Sequence, residues 1–234
     1  MIPFIAQLLA ICLLLFSGSI VARTITYGEK LCVNNPQFAC YKAQKGDTWE
    51  KLFSDSNQRD LVMRVNRQNT LLGRGEIIAV PNNLYASPLD YSPVSKQITP
   101  PTPGDKTIII SIKKLSFGAY DENGNLQYWG PVSTGRGYCP DMKGHSCHTA
   151  RGQFTIYRKE GAHCVSTKFP VGRGGAPMPY CMFFKGGFAM HGSYEVPGYN
   201  DSHGCVRMFV NDAKWLNEDF TKNPKSVRIV INQD

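Results

Sequence analysis

The stretch HGSYEVPGYNDSHGCVR, residues 191–207, sets Cys205 between Gly204 and Val206, with His203 two positions upstream and His191 fourteen. This is the composition of a nucleophilic-thiol site. An ordinary thiol is mostly protonated at neutral pH, so a neighbouring imidazole must take the proton or stabilise the thiolate. Downstream, Asn211–Phe220 predicts a helix with Ala213, Leu216 and Phe220 on one face, and Val227–Ile231 a closing strand. Upstream, Thr107–Ile112 is rich in β-branched residues, Leu115–Tyr120 alternates apolar and small residues, and Gln127–Ser133 returns after a turn over residues 121–125. Gly152–Tyr157 and Met182–Met190 are further strand candidates. With one helix among many strands, the region from 106 to 234 predicts a mainly β domain with minor α, a mostly antiparallel sheet or barrel rather than a doubly wound fold.

Beyond residue 22 the cysteines are Cys32, Cys40, Cys139, Cys147, Cys164, Cys181 and Cys205. Outside the cytosol such a set forms at most three disulfides and leaves one thiol over. Short separations pair Cys32 with Cys40, Cys139 with Cys147 and Cys164 with Cys181, leaving Cys205 free. The competing arrangement is a metal site, because His145, His148 and His163 lie near Cys139, Cys147 and Cys164 in sequence. No ligand pair has the short spacing usual for zinc, and an oxidising compartment favours disulfides, so no metal is assigned.

The case for that compartment comes from residues 2–22, an apolar run ending in Ser17, Gly18, Ser19 and Ala22. It resembles a signal peptide over 1–22, cleaved near Ala22, although no Lys or Arg precedes the run. The alternative is an uncleaved anchor, since about 20 apolar residues can cross a bilayer. Cys12 lacks a lipoprotein context because bulky Ile11 precedes it. Cleavage leaves no stable membrane span. The net charge of +8 and pI of about 9.1 come from dispersed Lys and Arg with no nucleic-acid motif, so an anionic envelope polymer or membrane surface is the simpler partner.

Pro81, Pro88, Pro93, Pro100, Pro101 and Pro103 mark an extended, semi-rigid connector over 83–105. Before it, residues 41–82 read as strand, helix, helix, strand, with Asp47 or Thr48 as helix cap and Gly73-Arg74-Gly75 as a turn into Ile77–Val80. Residues 23–40 form an N-terminal segment closed by the Cys32–Cys40 pair. The Gly46-Asp47-Thr48 turn, Asn66 and Pro81 make the 41–82 unit resemble a small βααβ LysM module. That resemblance implies binding of N-acetylglucosamine-containing glycan through the Gly46, Asp47 and Thr48 turn. All of these are scaffold-type positions, and a packing unit without glycan affinity is the alternative.

Residues 106–232 resemble a YkuD-type L,D-transpeptidase catalytic domain, with His191 followed after a short loop by Ser202-His203-Gly204-Cys205-Val206-Arg207. Pro131-Val132-Ser133-Thr134-Gly135, Thr149-Ala150-Arg151-Gly152 and Pro177-Met178-Pro179-Tyr180 match in the same order. The resemblance implies that Cys205 forms a thioester with a peptidoglycan stem peptide, that His191 is its base oriented by the Gly192 carbonyl, and that N–H groups of His203, Gly204 and Cys205 bind the oxyanion. By residue chemistry, His203 helps bind the oxyanion or donor or holds the loop, Ser202 hydrogen-bonds the loop rather than acting as a second nucleophile, Arg207 matches a substrate carboxylate, and Tyr180 lines the donor site. Arg207 as a surface ion pair and Tyr180 as a packed aromatic are the alternatives. The implied reaction is a 3-3 cross-link requiring no metal or organic cofactor, open to carbapenem-type inhibitors and located in the periplasm. Transfer to water, transfer to a protein Lys, and a non-catalytic wall-binding protein are the competing functions.

Overall fold

A computed structural model describes residues 24–234. The expected leader, with Cys12, lies outside the described residues. Among those described, no helix is long and apolar enough to cross a membrane.

Helix α1 (Tyr27–Leu31), strand β1 (Phe38–Lys42), helices α2 (Trp49–Leu52) and α3 (Ser56–Asn66) and strand β2 (Ile77–Pro81) come first, with β1 and β2 paired antiparallel. The Thr48 hydroxyl caps α2 by accepting from the Lys51 N–H, and Asp55 caps α3 by accepting from Asn57 and Gln58. Each cap satisfies N–H groups that the first helical turn leaves without partners. Trp49, Val62 and Ile78 fill the space between helices and strands. Asn66 is fully buried yet satisfied. Its Nδ2 donates to the Val62 and Ala79 carbonyls at 2.7 Å each, and its Oδ1 accepts the Ala79 N–H at 2.8 Å, tying α3 to β2.

The larger body is one sheet of nine strands. In chain order these are β3 (Lys106–Ser111), β4 (Ser116–Tyr120), β5 (Leu126–Ser133), β8 (Gly152–Thr155), β9 (Arg158–Lys159), β10 (Met182–Lys185), β11 (Phe188–Gly192), β12 (Val206–Met208) and β13 (Val227–Asn232). A two-stranded ribbon, β6 (Gly137–Tyr138) with β7 (Ser146–Cys147), stands apart. The spatial order is β8-β13-β3-β4-β5-β12-β11-β10-β9. Only β13 with β3 and β11 with β12 run parallel; the other neighbours are antiparallel. The two edges, β8 and β9, are consecutive in the chain, so the sheet curls back toward itself; Tyr157 N–H donates to the Phe183 carbonyl at the seam. Ile108, Ile110, Phe117, Val132, Met190, Val206, Met208, Leu216 and Ile229 fill the interior.

Three expectations are corrected by the structure. The run Met182–Met190 is a hairpin, β10 and β11, that turns at Gly186-Gly187. The expected helix over 211–220 divides into α4 (Val210–Trp215) and a π-helical turn, Leu216–Phe220. The wider turn follows from Thr221, whose N–H and hydroxyl both donate to the Leu216 carbonyl. Finally, the Pro-rich connector is a docked strap. Pro88–Tyr91 forms a 3-10 turn, Val94 is buried with Tyr120 and Trp129, and Leu89, Tyr91 and Ile98 pack on them. Proline sets a stiff local path, but apolar side chains spaced along it still bury against the sheet.

The βααβ unit is held to the sheet by a buried ion pair. Arg64 on α3 donates to Asp212 on α4 at 3.0 and 3.1 Å and to the Trp129 carbonyl at 2.8 Å. Asn69 grips the loop after β11, its Nδ2 donating to the Ser193 carbonyl and its N–H to the Val196 carbonyl, while its Oδ1 accepts the Val196 N–H.

Candidate active site

Strand register brings the two ends of the 191–207 stretch together. In the parallel pair β11 and β12, Met190 lies opposite Val206 and His191 opposite Arg207. Met190 and Val206 point into the main core. Side chains alternate along a strand, so the residues one step away, His191, Arg207 and Cys205 at the entry to β12, lie on the other face. There Cys205 packs against a second cluster of Cys164, Met178, Cys181, Phe183 and Ala189.

His191 is 6% exposed. Its Nδ1 lies 2.9 Å from the Gly192 carbonyl. Since a carbonyl can only accept, that contact places the ring proton on Nδ1 and leaves Nε2 as the basic nitrogen. The Gly192 N–H in turn donates to the Pro179 carbonyl at 2.8 Å, fixing the strand end that carries the imidazole. Burial, with the Arg207 charge adding to it, pushes His191 down to about 4. Burial also pushes the Cys205 thiol up, against smaller opposing effects of a hydrogen bond from the Ala189 backbone and the Arg207 charge. At neutral pH the resting site therefore holds a thiol and a neutral imidazole.

The depressed His191 value has a stability consequence. In the unfolded chain this histidine gains its proton near pH 6.5, and in the folded chain only near 4. The folded state therefore loses stability as pH falls through that window, by about 3 kcal/mol in all, and the loss stops below about pH 4. Urea midpoints measured from pH 7 to 4 should fall less steeply in His191→Gln than in wild type; identical slopes would contradict the burial argument.

The loop before Cys205 is held by side chains on both sides. The Ser202 hydroxyl donates to the Cys205 carbonyl at 2.5 Å and accepts the Gly204 N–H at 3.0 Å. The Thr149 hydroxyl donates to the Gly204 carbonyl and accepts the Gly135 N–H, both at 2.8 Å. Gly204 has φ +117°, and a Cβ there would stand 2.4 Å from the Phe188 ring; only glycine fits. One expectation changes as a result. The Gly204 N–H, expected at the oxyanion, donates to the Ser202 hydroxyl in this structure.

His203 stands at the rim. Its Nε2 lies 2.9 and 3.1 Å from the Asp141 carboxylate oxygens, and its ring lies 4.7 Å from that of Phe169. Arg207 reaches Glu195 at 3.5 Å and Asp201 at 3.7 Å, so its charge is already engaged by two carboxylates. Tyr180, at φ 58°, packs half-buried against the main core, and its contacts are those of a packed aromatic. Cys32–Cys40, Cys139–Cys147 and Cys164–Cys181 are disulfide-bonded, and Cys205 is the free thiol among the described residues. In the βααβ unit, Asp47 accepts from the Tyr41 hydroxyl and the Gln44 N–H, Thr48 is the cap, and the Gly46 carbonyl accepts from Lys51. All three residues of that turn therefore stabilise the turn itself.

Sequence reasoning passed over Asp141 and Phe169 at the rim, and Asn200, whose Oδ1 accepts from the Thr134 N–H and hydroxyl. None carries a local signal. Asp141 and Phe169 reach the site from distant loops, whereas Asn200 lies within the 191–207 stretch itself, two residues before Ser202.

No curated protein sequence matches the chain significantly. Among solved structures, an L,D-transpeptidase (residues 123–326) from Xylanimonas cellulosilytica is similar at a TM-score of 0.54 and 23% identity, covering 82% of this chain and 97% of that one. An L,D-transpeptidase from Mycobacterium smegmatis gives 0.44 and 21%, covering 55% and 58%. L,D-transpeptidase 3 from Mycobacterium tuberculosis, in complex with a faropenem-derived adduct, gives 0.44 and 17%, covering 56% and 60%. The first likeness supports the curled-sheet fold. The family model of the YkuD L,D-transpeptidase catalytic domain matches residues 105–229, more than half of the chain and every element that frames Cys205, and the chain belongs to that family.

Proposed function

We propose that this protein is a cysteine-dependent L,D-transpeptidase acting on peptidoglycan stem peptides. The observation that carries the reading is a free, half-buried thiol on the same sheet face as an imidazole whose Nδ1 is fixed by a carbonyl. Cys205 attacks the carbonyl carbon between the diamino acid at stem position three and the terminal D-Ala, and its proton passes to His191 Nε2. The oxyanion collapses, the C–N bond breaks, and D-Ala leaves with the proton from His191. The side-chain amine of a neighbouring stem then attacks the thioester. The C–S bond breaks, the proton returns to Cys205 through His191, and a 3-3 cross-link results.

With both groups neutral at rest, the proton moves as the thiol attacks, and no preformed ion pair is needed. Neutral His191 is the competent base from neutral pH down to about 4. The βααβ unit, in this reading, is a LysM-like glycan binder that keeps the site near its polymer, raising the effective substrate concentration. Three disulfides suit export to an oxidising periplasm, and cleavage near Ala22 would release the mature chain.

The test is incubation of the mature, oxidised protein with purified disaccharide-tetrapeptide, followed by mass analysis of the products. A dimer lighter than two donors by one D-Ala is expected. Tripeptide alone would make water the acceptor and the protein an L,D-carboxypeptidase. Unchanged donor, together with binding to sacculi, would leave a wall-binding protein. A protein-Lys acceptor would show as D-Ala release only when an envelope protein is added.

A further inference from the structure

Two disulfide-closed loops meet at His203. The Cys139–Cys147 loop brings the Asp141 carboxylate to Nε2, with both oxygens within 3.1 Å, and the Cys164–Cys181 loop brings the Phe169 ring to 4.7 Å. The His203 side chain is 20% exposed. Asp141 is 62 residues away in sequence; its loop is closed by the Cys139–Cys147 bridge and braced by backbone bonds from Cys139 N–H to the His145 carbonyl and from His145 N–H to the Met142 carbonyl, which together limit the chain entropy that would move the carboxylate away. Cys139, Asp141 and His203 present ligand-type atoms within 4.8 Å of one another. Because the Cys139 sulfur is in the disulfide, it offers no thiolate, and the Asp–His contact is the interaction this cluster makes.

We propose that Asp141 is a positioning residue that acts through His203, and that the Cys139–Cys147 bridge serves the reaction by delivering it. This rests on the reading of Cys205 as nucleophile. With Nε2 taken by the carboxylate, Nδ1 is the ring nitrogen left to face the donor, and Phe169 restricts rotation of the ring. The imidazole is thus held in one orientation two residues before the nucleophile. The His203 interaction holds the Asp141 carboxyl below the usual carboxylate range, which agrees with an ionised acceptor at every pH at which the enzyme works.

The test compares rates of Cys205 acylation by meropenem, followed by intact mass, in oxidised wild type, Asp141→Ala, His203→Ala, the double variant Asp141→Ala/His203→Ala, and Cys139→Ser/Cys147→Ser. Asp141→Ala should slow acylation about ten- to a hundredfold, the size of a lost hydrogen bond to a charged group. The decisive readout is coupling: the Asp141→Ala/His203→Ala variant should lose no more than His203→Ala alone. Cys139→Ser/Cys147→Ser should match Asp141→Ala. Losses that multiply in the double variant, or an unchanged rate in Asp141→Ala, would overturn the proposal. Absence of acylation in wild type would instead strike the nucleophile assignment, so the two failures are distinguishable. Asp141→Asn, which keeps the shape and an acceptor oxygen, should recover part of the rate lost in Asp141→Ala.

Discussion

Cys205→Ala is expected to abolish both cross-linking and acyl-enzyme formation, a loss of roughly 10⁴-fold or more, as for removal of the nucleophile in other covalent hydrolases. The fold should be unaffected. Cys205 is half-buried, it is the free thiol among the described residues, and Ala is a small apolar replacement against the cluster of Cys164, Met178, Cys181, Phe183 and Ala189. His191→Ala should cost nearly as much, since the burial that raises the thiol leaves little thiolate to react without a base. The variant lacking both should be no slower than either alone, because base and nucleophile act in one step. Rates of D-Ala release under matched conditions check this. Substantial turnover in Cys205→Ala would mean that the nucleophile lies elsewhere.

The second large effect concerns stability. Arg64 and Asp212 are both buried, with side chains 4% and 0% exposed, and they join the βααβ unit to the sheet. Asp212 also accepts from the Tyr128 hydroxyl at 2.6 Å. The carboxylates of Asp212 and Asp60 hold the Arg64 guanidinium firmly protonated despite its burial. Arg64→Ala strips a buried carboxylate of its countercharge and should cost about 3–5 kcal/mol, lowering Tm by roughly 10 °C. Arg64→Met with Asp212→Leu should recover much of that, since it removes both buried charges and leaves only the half-exposed Asp60 without its partner. Thermal unfolding of the three variants decides it. A double variant as unstable as Arg64→Ala would mean that the lost packing, rather than the orphaned charge, carries the cost. Activity should fall with the single variant too, because Asn69, three residues beyond the end of the same helix, grips the loop that joins His191 to Ser202.

Much of this architecture was legible in the sequence because its causes are local. β-branched runs gave β3 and β13, and the turn over 121–125 gave the hairpin of β4 and β5. Cysteines eight and seventeen residues apart paired as their spacing implied. His191 and Cys205 were legible as candidates by residue type and order, and the parallel register of β11 and β12 supplied their shared face. What could not be read depends on distance. The Asp141–His203 contact spans 62 residues and the Arg64–Asp212 pair 148, and neither partner carries a pattern that names the other. The strap was misread because proline density describes local stiffness, whereas burial of Val94 depends on the sheet surface beneath it. The resemblance places the Gly204 N–H at the oxyanion, whereas in the fold it donates to the Ser202 hydroxyl two residues before it.

The most direct measurement of the central claim is the intact mass of the oxidised mature protein before and after exposure to a carbapenem, in wild type and in Cys205→Ala. A single drug adduct on wild type that is absent from the variant is the predicted result. An unmodified wild type, or an adduct that survives in Cys205→Ala, would contradict the assignment of Cys205 as the acylated nucleophile.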